Sequence, residues 1–116
     1  SDVCSSDLLN APGCPGITSV NHLAKLEILE ASEDCGISDA GLVNCVNLKS
    51  LDASNNPKIT TVNHLTKLEI LDATNDCGIS DAGLVNCINL KSLDALYNSK
   101  ISNVNHLIRL KKKFIQ

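Results

Sequence analysis

Ile17-Thr18-Ser19-Val20-Asn21-His22-Leu23 returns as Ile59-Thr60-Thr61-Val62-Asn63-His64-Leu65, and again as Ile101-Ser102-Asn103-Val104-Asn105-His106-Leu107. Each return comes after 42 residues, from Ile17 to Ile59 and from Ile59 to Ile101. A period held by residue identity marks a supersecondary unit that cannot bury its apolar face alone and must stack on copies of itself. Stacked units build an extended surface, and the usual use of such a surface is to bind another macromolecule.

Inside each period sit two shorter units. One runs Leu26-x-x-Leu29-x-Ala31-x-x-Asp34-Cys35-Gly36-Ile37 and continues Ser38-Asp39-Ala40-Gly41-Leu42-x-x-Cys45. The next runs Leu48-x-x-Leu51-x-Ala53-x-x-Asn56-x-x-Ile59-x-x-Val62-x-x-Leu65, and the copies begin at Leu68 and Leu90. Leu at the fourth position with Ala at the sixth gives period-2 alternation around a short strand. Asn56 and Asn98 fall where the chain leaves that strand, where an amide both donates to and accepts from otherwise unpaired loop backbone. Asp34 and Asp76 hold the same place in the longer units, and an ionised Asp only accepts. Ser38 is placed to cap a short helix or turn over Ser38-Asp39-Ala40-Gly41-Leu42.

This pattern and period resemble the leucine-rich repeat family over residues 9 to 110. The longer unit is similar to the cysteine-containing subclass and the shorter one to internalin-type repeats. The resemblance implies an α/β right-handed solenoid of about five coils. It would be curved, with a parallel sheet on the concave face and short helices or turns on the convex face. One departure is consistent: Ala31, Ala53, Ala73 and Ala95 stand where the family usually has Leu, which implies close packing at that layer.

The 116 residues have room for one domain. Ten basic residues against 13 acidic give a formal charge of −3, which argues against general binding of nucleic acid or anionic membrane. No apolar run approaches the roughly 20 residues of a membrane span, and no stretch has the order of a signal peptide. The chain lacks an initiating Met, so its true start is expected upstream. Aromatics are 2% of residues, which leaves Leu, Ile, Val, Ala and Cys to form a narrow interior.

Residues 1–8 resemble a translated sequencing adapter and are read as a non-native artefact. The repeat agrees, because the match to later copies begins at Leu9, aligned with Leu51, while Ser6 stands where Leu48 should be. At the other end, Lys113 takes the place of the returning Leu. Residues 111–116 are therefore read as a basic tail or truncated cap, with the solenoid stopping or fraying there.

Six cysteines invite a disulfide or metal reading, but Cys35 and Cys77, like Cys45 and Cys87, lie two units apart. That puts equivalents roughly 10 Å from one another, beyond disulfide reach. Small buried thiols fit better, and they favour an intracellular setting. His22, His64 and His106 share one repeat position and are likewise too far apart to share an ion. No acid–base or nucleophile constellation is present, so neither an enzyme nor a cofactor is expected.

The strand positions expected to face outward carry Glu30, Asp52, Asp72 and Asp94, flanked by Glu27, Lys49, Glu69 and Lys91. Like charges at strand spacing repel, and a basic partner would offset that cost. The last full unit replaces Ser54-Asn55 and Thr74-Asn75 by Leu96-Tyr97, an exposed apolar pair beside Asp94 with the character of an interface hot spot. The expected function is a non-enzymatic protein–protein interaction module, a fragment of a longer array. Its contact surface would be Glu30, Asp52, Asp72, Asp94, Leu96 and Tyr97. Alternatives are the substrate-recognition part of a ubiquitin-ligase adaptor and a structural spacer or surface adhesin of internalin type.

Overall fold

Every described strand is three residues long and centred on the position where the repeat places Leu. The computed structural model describes residues 8–10, 16–33 and 35–115. The strands are β1 (Leu8–Asn10), β2 (Ile28–Glu30), β3 (Ser50–Asp52), β4 (Ile70–Asp72), β5 (Ser92–Asp94) and β6 (Lys112–Phe114). All neighbours pair in parallel and in sequence order, forming one six-stranded sheet. A parallel neighbour can be reached only by carrying the chain round to its starting edge. The result is a β-solenoid of about four turns with few helices. The expected five coils include the turn after β1, whose residues 11–15 lie outside the described residues. So do residues 1–7 of the proposed artefact, whereas Leu8 pairs with Ile28.

The register lines up Leu9, Leu29, Leu51, Leu71 and Leu93 as one inward row, with Lys113 sixth. The five leucines are buried, as are Ala31, Ala53, Ala73 and Ala95 beside them. Further rows close the interior: Ile37, Ile59, Ile79 and Ile101 on one side, and Leu26, Leu48, Leu68 and Leu90 on the other. Each buried aliphatic side chain contributes roughly 1.5–3 kcal/mol. A single coil would leave these rows open above and below, so the stack supplies the stability. Beyond the strands the ladder continues, with Ala31, Ala53 and Ala73 N–H donating to the Asp52, Asp72 and Asp94 carbonyls at 2.8 Å.

Asn56 and Asn98 close the turn beyond the strand from inside. Asn56 Nδ2 donates to the Ala31 and Ile37 carbonyls at 2.8 and 3.1 Å, and its Oδ1 accepts the Lys58 N–H at 3.1 Å. Asn98 repeats this with Ala73, Ile79 and Lys100. Just before each of these, Asn55 and Tyr97 take positive φ of 58° and 63°, and Glu33 and Asn75 do so at the equivalent positions. The turn there aims the Glu33, Asn55 and Asn75 N–H groups at carbonyls of the next coil, Ser54, Thr74 and Leu96.

Opposite the sheet, the longer units carry 3₁₀ turns at Asp39–Leu42 and Asp81–Leu84. Ser38 does not cap the first: its side chain makes no capping hydrogen bond. The turn is instead held by close approach to the preceding coil. A Cβ on Gly41 would stand 2.3 Å from the Thr18 carbonyl oxygen, and one on Gly83 the same distance from that of Thr60.

The carboxy end also departs from expectation. Rather than fraying at Lys113, the chain adds β6 to the sheet, with the Ala95 N–H donating to the Phe114 carbonyl at 2.7 Å. Lys113 is exposed, so its ammonium stays solvated.

Candidate protein-binding face

With Leu turned inward, β2, β3, β4 and β5 each present two residues outward. The later one forms the expected acidic column: Glu30, Asp52, Asp72 and Asp94 are successive register partners, with Phe114 after them. All four carboxylates are half-buried. Asp52, Asp72 and Asp94 each turn one oxygen back onto their own loop. Asp52 Oδ1 accepts the Ser54 N–H at 3.0 Å and its hydroxyl at 2.7 Å. Asp72 Oδ1 accepts the Thr74 N–H at 3.1 Å and Asp94 Oδ1 the Leu96 N–H at 3.2 Å. These bonds shape the turn after the strand as Asx motifs do. Burial pushes the Asp72 carboxyl above its ordinary range, with repulsion from Asp52 and Asp94 adding and the Thr74 hydrogen bonds opposing. The expected repulsion within the column is therefore present, and local hydrogen bonds partly answer it.

Leu96 is half-buried, while Tyr97 is 68% exposed just beyond Asp94. Glu30, Asp52, Asp72 and Asp94 thus share one column of the sheet, and Leu96 and Tyr97 lie in the turn that follows β5.

The earlier outward position holds residues the sequence reading passed over. Ile28, Ser50, Ile70, Ser92 and Lys112 are register partners. Ile28 is 41% and Ile70 52% exposed, with Phe114 at 50% across the same face. The residues assigned as flankers, Glu27, Lys49, Glu69 and Lys91, sit one position earlier, where the chain enters the strand. There Lys49–Glu27 and Lys91–Glu69 form long, exposed ion pairs of 3.9 and 3.7 Å, of little energetic weight. The signal for Ile28 and Ile70 was the same period-2 rule, applied to the residue before the inward Leu.

The remaining candidates serve the stack. His64 Nε2 donates to the Leu42 carbonyl at 2.9 Å and His106 Nε2 to that of Leu84 at 3.1 Å, one coil back. Cys35, Cys45, Cys77 and Cys87 are buried and form no disulfide, and burial pushes the Cys77 and Cys87 thiols up to about 11. The Cys45 and Cys87 Sγ–H groups point at the Val20 and Val62 carbonyls. Cys4 and Cys14 lie outside the described residues, as does Asp34. Among the described residues no group of three or more His, Cys, Asp or Glu is arranged to hold a metal ion, and no helix is long and apolar enough to cross a membrane.

A second acidic pair had no reading in the sequence. Asp39 Oδ1 accepts the Thr60 and Thr61 N–H groups at 2.8 and 3.3 Å, and its Oδ2 accepts the Thr60 hydroxyl. Asp81 repeats this on Ser102 and Asn103 at 2.8–3.2 Å. Hydrogen bonding from the Ser102 N–H leads the causes that hold the Asp81 carboxyl below its ordinary value. The signal available was a hydroxyl 21 residues after each Asp.

No protein-family model matches the chain, and no curated protein is significantly similar to it.

Proposed function

We propose that the chain is a non-enzymatic protein-interaction module of leucine-rich-repeat type, part of a longer array, whose partner meets the outward face of the sheet. The observation that carries this is the in-register face itself. Ile28, Ile70 and Phe114 expose apolar surface on in-register strands with Tyr97 in the turn after β5, whereas the other exposed large apolar residues among the described residues, Val43, Val46, Val85, Ile88 and Ile108, lie outside the strands. Apolar anchors between charged columns have the anatomy of an interface centre and its polar rim. The acidic column favours basic groups on the partner's facing edge.

The test is capture from a cell extract with three immobilised proteins: the wild type, Ile28→Asp/Ile70→Asp and Val43→Asp/Val85→Asp. Val43 and Val85 are exposed after the 3₁₀ turns. Species held by the wild type and by the Val variant but lost from the Ile variant support the sheet face. Equal capture by all three removes it.

A further inference from the structure

Six of the ten basic residues lie at or beside the edge where the chain enters the strands; Lys112 and Lys113 lie in β6 itself, and Lys58 and Lys100 lie elsewhere. Lys25, Lys67 and Arg109 occupy one repeat position, and Lys49, Lys91 and Lys111 another two residues later. Glu27 and Glu69 oppose them, through the long ion pairs described above. The whole chain is acidic, yet this rim is cationic.

Two of the cations, Lys67 and Arg109, are positioned by neutral carboxamides. Asn47 Nδ2 donates to the Ala24 carbonyl at 3.0 Å, and its Oδ1 accepts from Lys67 Nζ at 2.8 Å. One period on, Asn89 Nδ2 donates to the Thr66 carbonyl at 2.8 Å, and its Oδ1 accepts from Arg109 Nη1. A carboxamide anchored to the preceding coil thus holds each cationic head and leaves its charge intact. Open hollows of about 220 and 280 Å³ lie between these side chains, one lined by Lys49, Lys67, Glu69, Asn89, Lys91 and Arg109 and the other by Lys25, Glu27, Asn47, Lys49 and Lys67, so that in each a single carboxylate stands among three or four cations.

We infer that this rim, together with the adjoining Ile28–Ile70 column, receives an acidic polypeptide segment with interspersed aliphatic residues, lying along the direction of stacking. The inference rests on the sheet face being a protein-binding surface and names the chemistry of the partner on its cationic side. From Lys25 to Arg109 is four coil steps, roughly 19 Å at 4.8 Å each, the length of about six residues of extended chain. Such a chain alternates its side chains, so carboxylates meet the rim while aliphatic groups lie toward Ile28 and Ile70. A protein segment fits better than a nucleic acid because, among the described residues, the hollows have no aromatic side chain in their linings on which bases could stack.

Fluorescence anisotropy tests this with a fluorescein-labelled peptide of alternating Glu and Val, its counterpart of alternating Lys and Val, and a single-stranded DNA oligonucleotide. The expected result is binding of the Glu-Val peptide, weakened by salt and about tenfold weaker to Lys67→Glu/Lys91→Glu/Arg109→Glu. All three side chains are exposed, so this variant should melt with the wild type. Absent binding, undiminished binding to the triple variant, or tighter binding of the Lys-Val peptide or the DNA overturns the inference. Loss of the Glu-Val peptide from Ile28→Asp/Ile70→Asp, with full retention by the triple variant, also overturns it and leaves the sheet-face reading standing.

Discussion

Asp72 and Asp81 are nine positions apart and ionise in opposite environments. Asp72 stands in a column of carboxylates on the sheet, half-buried, with one oxygen on the Thr74 N–H two residues away. Asp81 stands on a 3₁₀ turn and accepts three hydrogen bonds from the coil that follows. Burial raises the first and hydrogen bonding lowers the second. The turn side therefore uses its acids to fasten coil to coil. The strand side carries charge at a cost to folding.

The largest effect should come from breaking the turn side. Gly83→Ala drives a Cβ against the Thr60 carbonyl, on the segment that Asp39 clamps. It should cost about 3 kcal/mol in chemical denaturation, the upper end of ordinary overpacking. Asp81→Ala removes the carboxylate from Ser102 and Asn103 and should cost about 1–2 kcal/mol. A loss below a few tenths would show that the clamp adds nothing to the stack.

On the strand side, changes should stabilise. Tyr97→Asn relieves a bulky residue at positive φ, where the equivalent positions at 55 and 75 already have Asn, and should gain about 1 kcal/mol. Asp72→Asn keeps an acceptor for Thr74 and removes the charge, and should gain a few tenths of a kcal/mol at neutral pH. Because the folded carboxyl is raised, the stability linked to Asp72 is present in acid and lost as pH rises through its folded value. The gain in Asp72→Asn should therefore vanish below the ordinary carboxylate range. Asp81 runs the other way: its contribution is present at neutral pH and fades as pH falls through its lowered value.

The repeat made the stack legible because identity at a fixed period fixes which residues become neighbours. The inward Leu row, the buried thiols and the Asn56 and Asn98 braces all follow from that. Ile28 and Ile70 were also within reach, since alternation faces both neighbours of an inward Leu outward, but with three-residue strands a one-position slip selected Glu27 and Glu69 instead. The Asp39 and Asp81 clamps were not legible from local spacing, because their partners lie 21 and 22 residues on. Tyr97 at positive φ was hidden because its side chain is unsuited to the backbone that its place in the coil imposes. The exposure of Lys113 was missed because a position inward in every earlier coil has a solvated route at the last strand.

Carbon-detected NMR titration of the side-chain carboxyls of Asp72 and Asp81 in one sample tests the contrast most directly. Asp81 should titrate below the ordinary aspartate value and Asp72 above it. Coincident titrations, or the reverse order, would contradict the division of the molecule into a fastening side and a presenting side.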